Sequence, residues 1–203
     1  MKIAIFGGSF NPIHLGHTKI VQYLCENFNF DKILVIPAGI PSHKESYCVS
    51  GIDRYNMCSL AFASFPKVEV SRIEIDSKKI CYTIDTLMKL KNIYKDATFY
   101  EIIGEDSANS FHTWKDFEKV LKESRIIVFR REGQENYPFS QIYREFMILK
   151  TPYFQYSSTE IRSYLKKNLK KESLKKLSEM LPKEVLNYIL ERNLYNFTEG
   201  EQR

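Results

Sequence analysis

With 203 residues the chain suits one domain carrying at most a small appended subdomain, and 43% hydrophobic against 27% charged residues excludes a disordered or fibrous protein. Thirty Lys and Arg against 25 Asp and Glu leave a net charge of +5, which suits an enzyme of anionic metabolites and falls short of the dense basic patch of a nucleic-acid binder. Cys25, Cys48, Cys58 and Cys81 lack Cys-x-x-Cys spacing and read as free thiols, and no apolar run approaches a membrane span or a signal peptide, so a cytoplasmic chain with neither membrane nor nucleic-acid partner is expected.

Ile3-Ala4-Ile5-Phe6 is short, continuous and apolar, and predicts a buried strand. It runs into Gly7-Gly8-Ser9-Phe10-Asn11-Pro12-Ile13-His14-Leu15-Gly16-His17. The glycine pair lets a ligand approach the main chain, and Pro12 stiffens the turn. A helix from about Leu15 then offers unpaired amides and the positive end of its dipole to an anion. His14 and His17, three residues apart, share nearly one face of the first turn and can aim at one phosphate chain. A lone histidine is more often structural, but two in His-x-Gly-His after a glycine turn are harder to assign to packing. At these residues the chain resembles the nucleotidyltransferase superfamily marked by His-x-Gly-His. The full run is most similar to that of bacterial nicotinate mononucleotide adenylyltransferases.

Ile20, Val21 and Leu24 continue the helical face to about Glu26, and Lys32 to Ile36, ended by Pro37, predicts a second buried strand. Strand, helix and strand make a right-handed βαβ unit. The loop Ala38-Gly39-Ile40-Pro41-Ser42-His43-Lys44 follows the C-terminal end of the second strand, where parallel sheets place ligands. On its own Lys44 reads equally well as a solvated lysine; the family's Pro-x-His-Lys loop implies that it approaches the phosphates. Ser50 to Asp53 has the form of a capping box opening a helix to about Ser64, with Ile52, Tyr55, Cys58 and Phe62 as its core face. Lys67 to Ser71 predicts a third strand, and Arg72 to Ile75 an edge strand or extended loop. Thr83 is expected to cap the next helix, with Ile84, Leu87 and Leu90 buried. The Tyr82-Thr83-x-Asp-Thr run resembles the same family, which implies exposed amides at this helix start holding a nicotinate carboxylate.

Thr98 to Ile103 predicts a fourth strand, followed by Gly104-Glu105-Asp106. Asp106 can accept from ribose hydroxyls or cap a helix, and both roles are compatible. The run is similar to the family's Ile-Ile-Gly-x-Asp, although Glu105 stands where a small residue is expected. Trp114, the only tryptophan, reads from sequence as core; the resemblance implies a platform stacked on the pyridine ring. Arg125 to Arg130 is a fifth strand, Arg131 to Gln141 a polar loop in which Arg131 is at most a contact, and Phe146 to Leu149 a short sixth strand. Ser157-x-x-Glu160 has a capping signature and opens a helix whose amides and hydroxyls at Ser157, Ser158 and Thr159 suit phosphate oxygens, with Arg162 as a charged fork. This segment resembles the superfamily's Ser-Ser-Thr-x-Ile-Arg, with Tyr156 in place of an aliphatic residue. Beyond it, a lysine-rich stretch and a helix opened by Pro182 predict a small helical appendix whose lysines form a solvated face.

The expected architecture is α/β: a Rossmann-like, doubly wound, mostly parallel sheet over residues 1–156, with residues 157–203 forming a small C-terminal helical subdomain that completes an ATP site. The resemblance implies condensation of nicotinate mononucleotide with ATP to nicotinate adenine dinucleotide and pyrophosphate, by in-line attack without a covalent enzyme intermediate. It implies catalytic roles for His14, His17, Lys44 and Arg162, ATP contacts from Gly7, Gly8, Ser9, Phe10, Gly104, Asp106, Ser157, Ser158 and Thr159, and mononucleotide contacts from Tyr82, Thr83 and Trp114. Mg²⁺ is expected to enter with ATP, since no protein cage for it is legible. Phosphopantetheine adenylyltransferase, a non-catalytic nucleotide sensor and an RNA binder using the C-terminal lysines are the alternatives, and a homo-oligomer is left open.

Overall fold

Ile3-Ala4-Ile5-Phe6 lies at the centre of a sheet covered on both faces, which is why its apolar run is unbroken instead of alternating. The computed structural model describes residues 1–40, 49–130, 146–149, 156–166 and 171–195. Strands β1 (Lys2–Gly8), β2 (Lys32–Pro37), β3 (Val68–Val70), β4 (Thr98–Gly104), β5 (Arg125–Phe129) and β6 (Met147–Leu149) form one sheet in the order β3-β2-β1-β4-β5-β6. The expectation was a mostly parallel sheet; every pairing among these strands is parallel.

Alternate residues feed two cores. Ala4, Phe6, Ile33, Val35, Ile102 and Phe129 face one side, against α1 (Leu15–Asn27), α2 (Gly51–Ala61) and the C-terminal helices. Ile3, Ile5, Leu34, Ile36, Ile103 and Val128 face the other, against α3 (Thr83–Ile93), α4 (Glu105–Asn109) and α5 (Phe117–Glu123). The chain winds outward from β1 through β2 to β3, then returns to β4 beside β1 and winds the other way. The C-terminal ends of β1 and β4 therefore flank a topological switch point, where loops diverge and leave a crevice for a ligand.

The structure departs from local expectation in α2, in the segment after β3 and at the start of α3. Ile52 is exposed, and the inward face of α2 is Arg54, Met57 and Cys58, followed by Phe62, because the helix turns a guanidinium toward loop carbonyls. At its start Ser50 Oγ accepts from the Asp53 amide at 3.0 Å as expected, but the Asp53 carboxylate accepts from Ser50 Oγ, Tyr188 and Arg192 instead of closing on the Ser50 amide. The helix ends at Ala61, short of Ser64. Residues 73–76 form a turn, neither strand nor extended loop, closed by the Asp76 amide on the Arg72 carbonyl at 2.9 Å and by an Arg72–Asp76 ion pair. Thr83 is the first residue of α3, and Tyr82 occupies its N-cap.

The C-terminal segment supplies α6 (Ser158–Lys166), α7 (Lys171–Met180) and α8 (Lys183–Glu191). Ile161, Leu165, Leu177, Val185, Ile189 and Tyr195 are buried in the same core as Phe6 and Phe129. Each such aliphatic side chain contributes about 1.5–3 kcal/mol when taken from water, so this segment and the sheet stabilise one another. Cys25, Cys58 and Cys81 are free thiols, and Cys48 lies outside the described residues. Among the described residues no helix is long and apolar enough to cross a membrane, and no group of three or more His, Cys, Asp or Glu is placed to hold a metal ion.

Candidate active site

The turn after β1 is built around Phe10. Its backbone is left-handed at φ 42°, and its ring is buried against Gly8, where an added Cβ would stand 3.0 Å from it. Glycine at position 8 is therefore a packing requirement as well as a freedom of the chain. A Cβ at Gly7 would meet nothing within 4 Å, so the main chain there is open to a ligand. The Phe10 ring meets His17 edge-on at 5.0 Å, and His17 stacks on His14 with ring centroids 3.7 Å apart. Gly16 makes room for this stack, since a Cβ there would lie 3.0 Å from the His14 ring. The spacing His-x-Gly-His thus reports a physical fit between the two imidazoles and the first turn of α1.

The His14 amide donates to His17 Nδ1 at 3.2 Å, which leaves the proton of a neutral His17 on Nε2. Burial holds His14 at a pKa of about 4, and burial reinforced by His14 holds His17 well below its ordinary value. Both rings are neutral at physiological pH without a ligand. Among the described residues His14 Nδ1, which is buried, has no hydrogen-bond partner. Such a pair is poised to receive negative charge, which would repay the desolvation that keeps the rings neutral.

The start of α6 is stitched onto this turn. Ser158 Oγ donates to the Pro12 carbonyl at 3.0 Å, and Arg162 donates to the Asn11 carbonyl at 2.7 Å and to Thr159 Oγ1 at 3.1 Å. The buried Tyr195 hydroxyl donates to Asn11 Oδ1 at 2.8 Å, and Lys19 reaches the Tyr156 hydroxyl at 3.2 Å. Two helix N-termini, those of α1 and α6, are thereby held together by side chains from three distant parts of the chain. Ser9, Ser157 and Thr159 are exposed at this junction. Arg162 is half-buried and pre-oriented by the groups it binds.

At the neighbouring end of β4, Gly104 is the N-cap of α4 and Asp106 stands exposed in its first turn, while Glu105 is buried. On the same side of the sheet, Tyr82 precedes α3, and the Lys115 ammonium lies 4.8 Å from the centre of its ring. Lys115 also bonds both carboxylate oxygens of Asp85, at 3.0 and 3.2 Å, which ties the turn after Trp114 to the first turn of α3. Trp114 itself is half-buried, its ring tilted against Phe111 at 4.8 Å, so it is both a core residue and a partly exposed surface. Lys115, next to Trp114 in the chain, thus contacts Tyr82 and Asp85 at the start of α3, and the turn carrying His14 and His17 is bonded to Ser158 and Arg162 through Asn11 and Pro12. Lys44 lies outside the described residues, as does Arg131.

Arg54, Asn11, Lys115 and Tyr195 also build the site, without belonging to the motifs legible in the sequence. Arg54 carried a signal: it occupies the i position of the buried i, i+3, i+4 set with Met57 and Cys58, where a charge needs buried partners. Asn11 and Tyr195 carried none, because their contact spans 184 positions.

The family model for cytidylyltransferase-like proteins matches residues 5–164. A protein of Fusobacterium nucleatum named probable nicotinate-nucleotide adenylyltransferase is 44% identical over 193 residues, covering 92% of this chain and 100% of that protein. The chain belongs to the nicotinate-nucleotide adenylyltransferase family. A further family member of that name, from Dictyoglomus turgidum, is 35% identical over 96% of each chain. The fold agrees with that of the Plasmodium falciparum nicotinic acid mononucleotide adenylyltransferase solved with NaAD, at a TM-score of 0.82 and 23% identity over 97% of this chain and 98% of that one.

Proposed function

We propose that this chain transfers the adenylyl group of ATP to nicotinate mononucleotide, giving nicotinate adenine dinucleotide and pyrophosphate in NAD biosynthesis, in the cytoplasm. The observation that carries this reading is the junction of two helix N-termini around the stacked, neutral pair His14 and His17. A triphosphate laid across that junction meets unpaired amides, imidazole N–H groups and the Arg162 guanidinium, and none of these requires a large rearrangement.

The phosphate of the mononucleotide attacks the α-phosphorus in line, and pyrophosphate leaves. The work of the protein is positioning and neutralisation of phosphoryl charge, with no covalent intermediate. His17 donates from Nε2 to an α-phosphate oxygen, and His14 stacks behind it and binds a neighbouring oxygen. Lys44 and Arg162 hold the outer phosphates, Gly7 to Phe10 line the nucleotide with their main chain, and Ser157 to Thr159 add amides and hydroxyls. Gly104 and Asp106 take the ribose. Tyr82 and Thr83 present the start of α3 to the nicotinate carboxylate, with Trp114 under the pyridine ring. ATP enters as its magnesium complex, the ion riding on the phosphates as is usual for nucleotide-borne Mg²⁺.

Pyrophosphate release is measured with ATP and, in turn, nicotinate mononucleotide, its amide and phosphopantetheine. Release with the acid mononucleotide is expected; release with phosphopantetheine alone overturns the reading, and nucleotide binding without release reduces the chain to a sensor.

A further inference from the structure

The two halves of the proposed site are joined by a run of partly buried contacts. Arg54 is 1% exposed, and its guanidinium donates to the Ser9 carbonyl at 2.8 Å, the Ala38 carbonyl at 2.6 Å and the Gly39 carbonyl at 3.2 Å. It thus ties the turn after β1 to the turn after β2, each leaving the C-terminal edge of the sheet. Gly39 in turn lies against the turn at residues 73–76, so close that an added Cβ would stand 2.2 Å from the Glu74 carbonyl oxygen. The Glu74 carboxylate accepts from Thr86 Oγ1 at 2.7 Å, and Thr86 is buried in the first turns of α3, just behind Tyr82 and Thr83. A buried guanidinium must find carbonyl or carboxylate partners, so each of these groups is fixed by the next.

We propose that Arg54, Glu74 and Thr86 are positioning residues that set the register between the triphosphate turn and the mononucleotide-binding start of α3. The inference rests on the adenylyl-transfer reading for its kinetic consequence and on geometry for the coupling itself. None of the three side chains needs to touch substrate. Arg54 fixes the carbonyl of Ser9 and hence the turn leading to His14 and His17, while Thr86, through Glu74 and Gly39, fixes the other end of the same run. In-line transfer needs the attacking phosphate and the α-phosphorus in near-attack contact, so a slip between the halves costs turnover more than affinity.

The test compares wild type, Arg54→Lys, Thr86→Val, Thr86→Ser and the Arg54→Lys/Thr86→Val double variant. The kcat and both KM values are measured, together with backbone amide exchange over residues 7–10 and over α8. Thr86→Val is expected to lower kcat about 10-fold and Arg54→Lys about 10- to 100-fold, with each KM within about threefold of wild type. Thr86→Ser, which keeps the hydroxyl, restores kcat. The double variant is expected to be no slower than Arg54→Lys alone, since one broken connection already uncouples the halves. In Thr86→Val, amide exchange at residues 7–10 quickens while α8 is unchanged. Multiplicative losses in kcat, a loss confined to KM, or unaltered exchange at residues 7–10 in Thr86→Val overturns the coupling. Exchange decides it even where Arg54→Lys fails to fold. Absence of adenylyl transfer in wild type instead refutes the functional reading and leaves the exchange result to judge the coupling.

Discussion

Replacing Glu101 with Gln is expected to remove a loss of stability that the chain suffers as pH rises from 4.5 to about 8. Glu101 lies in the middle of β4, 4% exposed, on the sheet face that carries Phe99 and Ile103. Burial, with repulsion from Glu74 added, pushes its pKa from 4.5 up to about 8. The unfolded chain releases this proton near the ordinary carboxylate value, whereas the folded chain keeps it until about pH 8. Between those values the native state binds more protons, so stability present at acid pH is lost as pH rises through the window. The loss across a span from 4.5 to about 8 is on the order of 5 kcal/mol, a large share of a typical domain's stability. Gln matches the neutral carboxyl in shape and has no proton to lose. Urea unfolding at pH 5, 7 and 9 should therefore show similar stabilities for the two proteins at pH 5 and a widening advantage for Glu101→Gln above it. Parallel curves across the three pH values would refute the argument that Glu101 is folded as a neutral acid.

Three further outcomes are expected. His17→Ala should lose about 3 kcal/mol of transition-state stabilisation, a fall in kcat of about 100-fold with the far-ultraviolet spectrum intact, and near-full turnover would remove His17 from the proposed mechanism. Trp114→Ala should raise the KM for the mononucleotide well above any change for ATP, and equal rises would argue against stacking on the pyridine ring. His14 is neutral in the fold with a pKa of about 4 against 6.5 unfolded, so it contributes about 3 kcal/mol that is present above pH 6.5 and lost as pH falls toward 4. His14→Asn should show a weaker acid dependence in urea unfolding, and an unchanged slope would mean that His14 is not the group that titrates.

Much of the fold was written in local pattern. Continuous apolar runs such as Ile33 to Ile36 and Ile126 to Phe129 are what strands buried on both faces require, and their alternation with helical segments left a parallel α/β sheet as the consistent outcome. The errors fell where a distant partner overrode local preference. Ile52 was expected inward because it is apolar, but Arg54 takes the inward face since carbonyls from two other turns meet there. Arg72 to Ile75 alternates like a strand, yet it folds as a turn closed by its own Arg72–Asp76 pair, with Gly39 packed against Glu74.

The sequence by itself determined a strand running into a glycine turn, a helix N-terminus with two imidazoles three residues apart, and a second helix start with hydroxyls and an arginine near the end of the chain. These are short-range facts, set by backbone freedom, helix geometry and the chemistry of neighbouring side chains. Only the tertiary structure decided that the two helix starts meet, through Asn11, Pro12, Ser158, Arg162 and Tyr195, and that the histidines stack and stay neutral. Hydrogen bonds between groups far apart in the chain set the first outcome, and burial sets the neutrality of the histidines.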